Sequence, residues 1–134
     1  MSEAASLGGA NVIAYRDVPY AAGNFTGSGT ITWTVGSGDQ SRFRIATIGA
    51  IARIQVQIEL TTVAGAGTEL RVALPFSTTS TQTIAVRAVD NGTFIDAFVS
   101  IGAARLTFIT SGASWAASTN LTSVYYEGDV PLTV

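Results

Sequence analysis

Aliphatic and polar residues alternate along the stretch from Ile51 to Phe76, which reads IARIQVQIELTTVAGAGTELRVALPF. Successive side chains of a β-strand point to opposite faces, so this period of two predicts a half-buried strand. The aliphatic face would consist of Ile54, Val56, Ile58 and Leu60. The segment AGAG predicts a turn, after which TELRVALPF would return as the second strand of a hairpin. Leu60 would then lie opposite Leu70.

The same period of two recurs in most of the remaining chain. Further alternating runs are GTITWTV, SRFRIATI, TIAVRAV, GTFIDAFVSI, ARLTFIT and LTSVYYEG. Asn91-Gly92 between two of these runs predicts a type I′ turn, which would place Arg87 opposite Asp96. No segment repeats apolar residues at helical spacing, and short strands separated by Gly, Ser and Asn turns are typical of packed sheets. The pattern predicts an all-β fold, a single-domain antiparallel β-sandwich of about eight strands.

The chain of 134 residues is the right length for one domain. Its first eleven residues are small and polar and include Gly8-Gly9, so we expect residues 1–11 to form a flexible N-terminal arm. The β-sandwich domain would then occupy residues 12–134. There is no apolar run long enough to span a bilayer and no secretion signal, so we expect a soluble protein made in a cytoplasm, without a membrane partner.

The residue types that carry most enzyme chemistry are missing. The chain contains no histidine and no cysteine, which removes the usual general base and the commonest ligands of transition metals. Glu59 and Glu69 could form a glycosidase pair, but Arg71 between them favours an ion pair over a general acid. Glu127 and Asp129 are too few ligands for a calcium site. We therefore expect no catalytic residue, no metal, no cofactor and no enzyme activity.

Charge points to contacts with proteins rather than with nucleic acid. The net charge is −2, and the seven cations are arginines scattered along the chain, so they do not form the basic stripe that phosphate binding needs. Arg42 and Arg44 are two positions apart and would lie on one face of a strand. They are candidate contacts to acidic groups of a partner, because guanidinium binds carboxylate with two parallel hydrogen bonds.

The aromatic residues suggest both core and surface roles. Trp33 is in phase with Ile31 and Val35, which predicts a core residue whose indole N–H needs one hydrogen-bond partner. Trp115 lies among small residues in SGASWAAST, where three roles stay open: a core cap, a subunit interface or a sugar-stacking surface. Trp115 and Tyr126 are candidate partner-binding residues, because either ring could be an exposed surface that stacks on a sugar.

From Val18 to its end, the chain resembles a family of small β-sandwich domains in tailed-bacteriophage virion proteins, which includes head decoration or cement proteins and fibre tips. The resemblance is carried by GNFTGSGTITWTVGSGDQSRFRIATIG, by IQVQIELTTVAGAGTELRVALPF and by the loop SGASWAASTN. It implies a jelly-roll-like sandwich and a symmetric homo-oligomer, often a trimer. It also implies binding to other virion proteins or to a host surface.

The expected function follows from this resemblance together with the missing enzyme chemistry. We expect a non-enzymatic virion structural protein, assembled in the host cytoplasm, that binds the major capsid protein of the assembled head as a decoration or cement protein. A short arm at the start of the chain, in place of shaft repeats, favours this role. The alternative is a receptor- or carbohydrate-binding tip of a tail or head fibre, with a host-surface glycan as its ligand.

Overall fold

The computed structural model describes residues 14–78, 82–110 and 114–132, together with the backbone of two short N-terminal strands, β1 (Glu3–Ala4) and β2 (Ser6–Leu7). These two strands pair with each other in antiparallel fashion. Apart from their backbone, the predicted arm lies outside the described residues.

Ten further strands make up the main sheet of the described chain. They are β3 (Arg16–Asp17), β4 (Phe25–Gly27), β5 (Thr32–Thr34), β6 (Gln40–Ile48), β7 (Ile51–Ala64), β8 (Glu69–Ala73), β9 (Gln82–Asp90), β10 (Thr93–Gly102), β11 (Arg105–Thr110) and β12 (Ser118–Pro131). Two short 3-10 turns, Ala22–Asn24 and Ser37–Asp39, are the helical elements of this part of the chain.

All strand pairs are antiparallel, and the order across the sheet is β3-β6-β7-β12-β9-β10-β11-β8-β4. The sheet curls until its ends approach each other, because β5 pairs with β7 and is joined to β4 by a tight connection. In that connection the Ser28 N–H donates to the Glu69 carbonyl at 3.1 Å, and the Thr30 N–H donates to the Ala66 carbonyl at 2.9 Å. The result confirms the predicted all-β, antiparallel, sandwich-like single domain, with ten strands rather than about eight.

The core lies inside the curl, where the apolar faces of the strands form one cluster. Trp33 belongs to it with 5% of its surface exposed, as its phase predicted. Its indole Nε1 donates to the Thr61 hydroxyl at 2.7 Å, and that hydroxyl donates to the Thr122 carbonyl at 2.7 Å. The buried indole therefore has the polar partner that it requires.

The turn between β9 and β10 also forms as predicted. Asn91 and Gly92 have φ angles of 50° and 82°, the left-handed pair that a type I′ turn requires. Asp96 lies directly opposite Arg87 in the resulting ladder.

The predicted hairpin between β7 and β8 is wrong. β7 pairs with β6, β5 and β12, whereas β8 pairs with β11 and β4. The connecting loop packs against the turn between β4 and β5: a Cβ added to Gly65 would clash with the Thr30 carbonyl oxygen, and one added to Gly67 would clash with that of Ser28. The loop thus carries the chain from one half of the curled sheet to the other.

Leu60 is not a core residue, contrary to the prediction. It is 59% exposed and has a φ angle of 60°. Ile58 and Thr61 on either side are both buried, so Glu59 and Leu60 share the outer side of the strand. This is a β-bulge, which shifts the alternation by one residue.

Candidate functional site

The outer surface of the sheet has two regions of different chemistry. The first, here called the polar face, covers β6, β7 and β12. It consists of Arg42, Arg44, Arg53, Gln55, Gln57, Glu59, Tyr125, Glu127 and Asp129. Strand pairing places these side chains in rows across the three strands, for example Arg44 beside Gln55 and Gln55 beside Glu127.

Arg44 is occupied by contacts within the polar face. Its Nε donates to Gln55 Oε1 at 2.5 Å, and Gln55 Nε2 donates in turn to Glu127 Oε2 at 2.9 Å. The guanidinium also lies over the ring of Tyr15, 4.7 Å from its centroid. These contacts hold Arg44 in place, so its predicted role as a partner contact is less direct than that of Arg42.

Arg42 is exposed, and within the described part of the chain it has no hydrogen bond or ion pair. It lies opposite Gln57 in the ladder between β6 and β7. An unpaired guanidinium on a rigid strand keeps its five donors available to an incoming carboxylate.

Arg53 and Asp129 form an exposed bidentate ion pair, with Nε to Oδ1 at 2.8 Å and Nη2 to Oδ2 at 3.1 Å. The hydrogen bond from Arg53 lowers the pKa of Asp129, and the same bond raises the pKa of Arg53. Because β7 and β12 bring the two residues into direct register, this pair supports the pairing of the two strands and occupies both charged groups.

Glu59 accepts three hydrogen bonds: from Ser41 Oγ at 2.9 Å, from Gln57 Nε2 at 3.0 Å and from the Tyr125 hydroxyl at 3.0 Å. These bonds, led by that of Ser41, lower the pKa of the carboxyl group. Glu59 is therefore ionised at neutral pH, the opposite of what a general acid requires. Glu69, its predicted partner, is bound to Arg71 at 2.7 Å on a strand that does not pair with β7.

A cleft of about 280 Å³ opens beside the polar face. It forms where β12 and β9 separate, since their pairing stops at Val124 and Ala88. Its lining consists of Arg42, Gln55, Val56, Gln57, Val86, Arg87, Tyr125, Tyr126 and Glu127. The cleft thus combines two guanidinium groups, two amides, one carboxylate and two tyrosine rings.

Tyr126 borders this cleft but is itself 4% exposed. Its hydroxyl has no hydrogen-bond partner among the described residues and lies close over Gly128, where an added Cβ would come within 2.5 Å of it. Burial raises the pKa of the phenol. Most of the ring belongs to the core, so the predicted exposed stacking surface at Tyr126 is wrong.

Trp115 is likewise a core residue. Its ring is 2% exposed, and its indole Nε1 donates to the Phe108 carbonyl at 3.2 Å. The loop is fastened by the neighbouring Ala116 N–H, which donates to Asp90 Oδ1 at 3.0 Å. Of the three roles left open by the sequence, the structure supports the core cap, because a buried ring cannot stack on a sugar or on another subunit.

The second outer region, here called the apolar face, lies on β9, β10 and β11. It consists of Ala85, Arg87, Val89, Phe94, Asp96, Phe98 and Ile109. Phe94 is 66% exposed and Phe98 is 40% exposed, both large values for phenylalanine. The Arg87 guanidinium covers part of one ring, 5.1 Å from the Phe94 centroid.

A shallow depression of about 340 Å³ lies within the apolar face. Its lining is Ala85, Val86, Arg87, Asp96, Ala97 and Phe98. Sequence reasoning missed this surface, although a signal was present: Phe94 and Phe98 are in phase with Asp96, on the side opposite the buried Ala97 and Val99. The charged Asp96 marks this side of the strand as the outer one. The two phenylalanines in phase with it therefore indicate an apolar patch on the outer surface.

The described residues contain no group of three or more His, Cys, Asp or Glu side chains that could hold a metal ion. Within the same residues, no helix is long and apolar enough to cross a membrane. A scan of protein-family models and searches of curated proteins and of solved structures all found no match for this chain.

Proposed function

We propose that this protein is a non-enzymatic structural protein of a tailed-bacteriophage virion, and that it binds the assembled head as a decoration or cement protein. The observation that carries the binding role is on the polar face, where Arg42 stays exposed and unpaired within the described chain while its neighbours bind one another. A free guanidinium on a rigid strand is suited to a carboxylate of a partner protein. The virion setting rests on the sequence resemblance.

Arg42 is the proposed contact to the major capsid protein. It is exposed and unpaired within the described chain, whereas Arg44 is held by Gln55 and Tyr15. A carboxylate on the head surface would gain a charge-assisted hydrogen bond from Arg42 without displacing an internal partner. Many copies on one head would turn weak single contacts into stable occupancy.

Binding to heads tests this function directly. Heads are prepared from the phage that encodes the chain, with its gene deleted, and are sedimented with the purified protein. We expect saturable co-sedimentation, reduced at least about tenfold in affinity by Arg42→Glu. Arg105→Glu, the same change at another exposed arginine, is the matched control and should bind normally. Co-sedimentation no greater than that of an unrelated protein overturns the proposal.

The same assay tests the predicted arm. Deletion of residues 1–11 should lower head occupancy if the arm anchors the protein, and unchanged occupancy would remove the arm from the proposal. Folding of the shortened chain is checked by circular dichroism.

The cleft supports a second candidate function, recognition of a host-surface glycan. Planar amide, guanidinium and carboxylate groups such as those of Arg42, Gln57 and Glu127 can orient sugar hydroxyls. A glycan array is the test. Specific hits that are lost with Gln57→Ala and kept with Gln82→Ala, an amide on β9 outside the cleft lining, support this function. An array without hits excludes it for the glycans printed.

A further inference from the structure

We infer that the apolar face binds the same face of a second copy of this chain, in a dimer with two-fold symmetry. This goes beyond head binding, because the contact is expected in solution without any virion component. It also differs from the trimer that the sequence resemblance implies.

The shape of the apolar face is complementary to itself. Phe94 projects from β10 with 66% of its surface exposed, and a depression of about 340 Å³ with Ala85 in its lining lies on the same face. Phe98 is in the lining of this depression and has Ala85 and Ile109 as its cross-strand neighbours. A two-fold axis that runs along the strands between β9 and β10 would place Phe98 of each copy over the small Ala85 of the other, so ring and depression can pack together.

The charges of the face are also complementary to themselves. Arg87 and Asp96 are direct cross-strand neighbours, yet neither forms an ion pair or hydrogen bond within the described chain. Arg87 lies instead over the ring of Phe94. In a two-fold dimer, the same patch of each copy faces the other. Arg87 of each copy can then pair with Asp96 of the other, which gives two ion pairs per dimer.

The size of the face sets the expected strength of the dimer. Three strands at about 4.8 Å spacing and about 20 Å of strand length give a flat area of roughly 300 Å² per copy. This is below the roughly 800 Å² per partner of a standard interface. We therefore expect a dissociation constant in the micromolar range, so association must be followed up to about 300 µM.

A charge swap tests the inference through the molar mass in solution, measured by sedimentation equilibrium. Wild type should be dimeric at the highest concentration. Arg87→Asp alone faces Asp96 of its copy, and Asp96→Arg alone faces Arg87, so each variant should dimerise at least about tenfold more weakly. An equimolar mixture of the two variants should regain the dimer, because both cross-copy pairs are then of opposite charge. This rescue also shows that both variants are folded.

Several results would overturn the inference. They are a wild type that stays monomeric throughout, a mass of three chains, single variants that dimerise as well as wild type, and a mixture that stays monomeric. A ring of three cannot be fully rescued by the mixture, because two kinds of chain cannot alternate around an odd number of contacts. Failure here leaves head binding intact, since no heads are present in the measurement.

A pair of serine substitutions separates the face from general surface hydrophobicity. Phe94→Ser removes the most exposed ring of the face and should weaken the dimer at least about tenfold. Ile48→Ser removes an apolar side chain that is 51% exposed at the end of β6, away from the face. Ile48→Ser should dimerise as wild type does. Equal effects of both substitutions would contradict the assigned surface.

Discussion

Replacing Ala103-Ala104 by Asn-Gly should stabilise this protein. The two alanines form the tight turn between β10 and β11, closed by the pairing of Gly102 with Arg105. Their φ angles are 52° and 58°, in the left-handed region that strongly favours glycine and asparagine. The turn between β9 and β10 has the same length and uses Asn91-Gly92. One fold therefore contains the favourable and the unfavourable sequence for the same geometry.

The expected gain follows from the cost of the left-handed conformation. That conformation costs an ordinary residue roughly 1–2 kcal/mol, and asparagine is more tolerant of it than alanine. Glycine removes this cost at position 104. It also increases the conformational freedom of the unfolded chain, which lowers the stability by about 0.5–1 kcal/mol. The Leu74 N–H keeps its hydrogen bond to the carbonyl of residue 104, which is a backbone group. The net gain is about 1 kcal/mol, or about 4 °C in Tm for a chain of this size.

Urea and thermal unfolding followed by circular dichroism measure the effect. The reciprocal change, Asn91-Gly92 to Ala-Ala, is the matched experiment and should destabilise the protein by a similar amount. Stabilisation by the first and destabilisation by the second are both required. If Asn-Gly at positions 103 and 104 leaves the midpoint unchanged or lowers it, the assigned turn geometry is refuted.

Three further predictions concern buried and ionised groups. Thr61→Val should cost about 2–4 kcal/mol in urea unfolding, because it removes the acceptor of the buried indole N–H and one donor to the Thr122 carbonyl. Thr61→Ser keeps the hydroxyl and should cost clearly less, and equal costs would contradict the hydrogen-bond account. Trp115→Ala should cost about 3–5 kcal/mol, and a cost below about 1 kcal/mol would contradict its core position. The lowered pKa of Glu59 means that its carboxylate stabilises the fold above the ordinary value of 4.5 and that this contribution is lost as pH falls. Glu59→Gln should therefore lose about 1 kcal/mol or less at neutral pH and match wild type in acid, whereas a gap that persists in acid would contradict the role of ionisation.

Sequence alternation identified the fold class because it reports which side of a strand is buried. On β7 it placed Ile54, Val56 and Ile58 in the core, and all three are at most 3% exposed. The Asn91-Gly92 turn gave one strand pair with its register, since its geometry joins adjacent strands directly. Both signals are local, and both predictions are confirmed.

Strand partners beyond direct turns could not be predicted in this way. Alternation shows which side of a strand is buried, but any neighbouring strand with its apolar side facing the same way satisfies it. It therefore does not distinguish β8 from β6 or β12 as the partner of β7. The bulge at Leu60 also breaks the parity on which the predicted hairpin depended. Close backbone approach at Gly65 and Gly67, which redirects the chain, depends on the distant turn at residues 28–30.

The candidate site was only partly visible in the sequence. Arg42 was predicted and is exposed, whereas Trp115 and Tyr126 proved to be core residues. A tryptophan among small residues looks like an exposed loop residue, but here the loop folds back over the core through the hydrogen bond from Ala116. The apolar face depends on three adjacent strands, so its extent emerges only from the strand order.

Hydroxyl-radical footprinting tests the central claim, that the apolar face is a protein-binding surface, most directly. Side-chain oxidation is compared between about 5 µM and about 300 µM protein, the range over which a micromolar contact forms. Ile48 and Ile51, exposed at 51% and 45% in a different part of the sheet, are the internal reference. We predict that oxidation of Phe94 and Phe98 falls several-fold relative to this reference at the higher concentration. Equal ratios at both concentrations would contradict the claim.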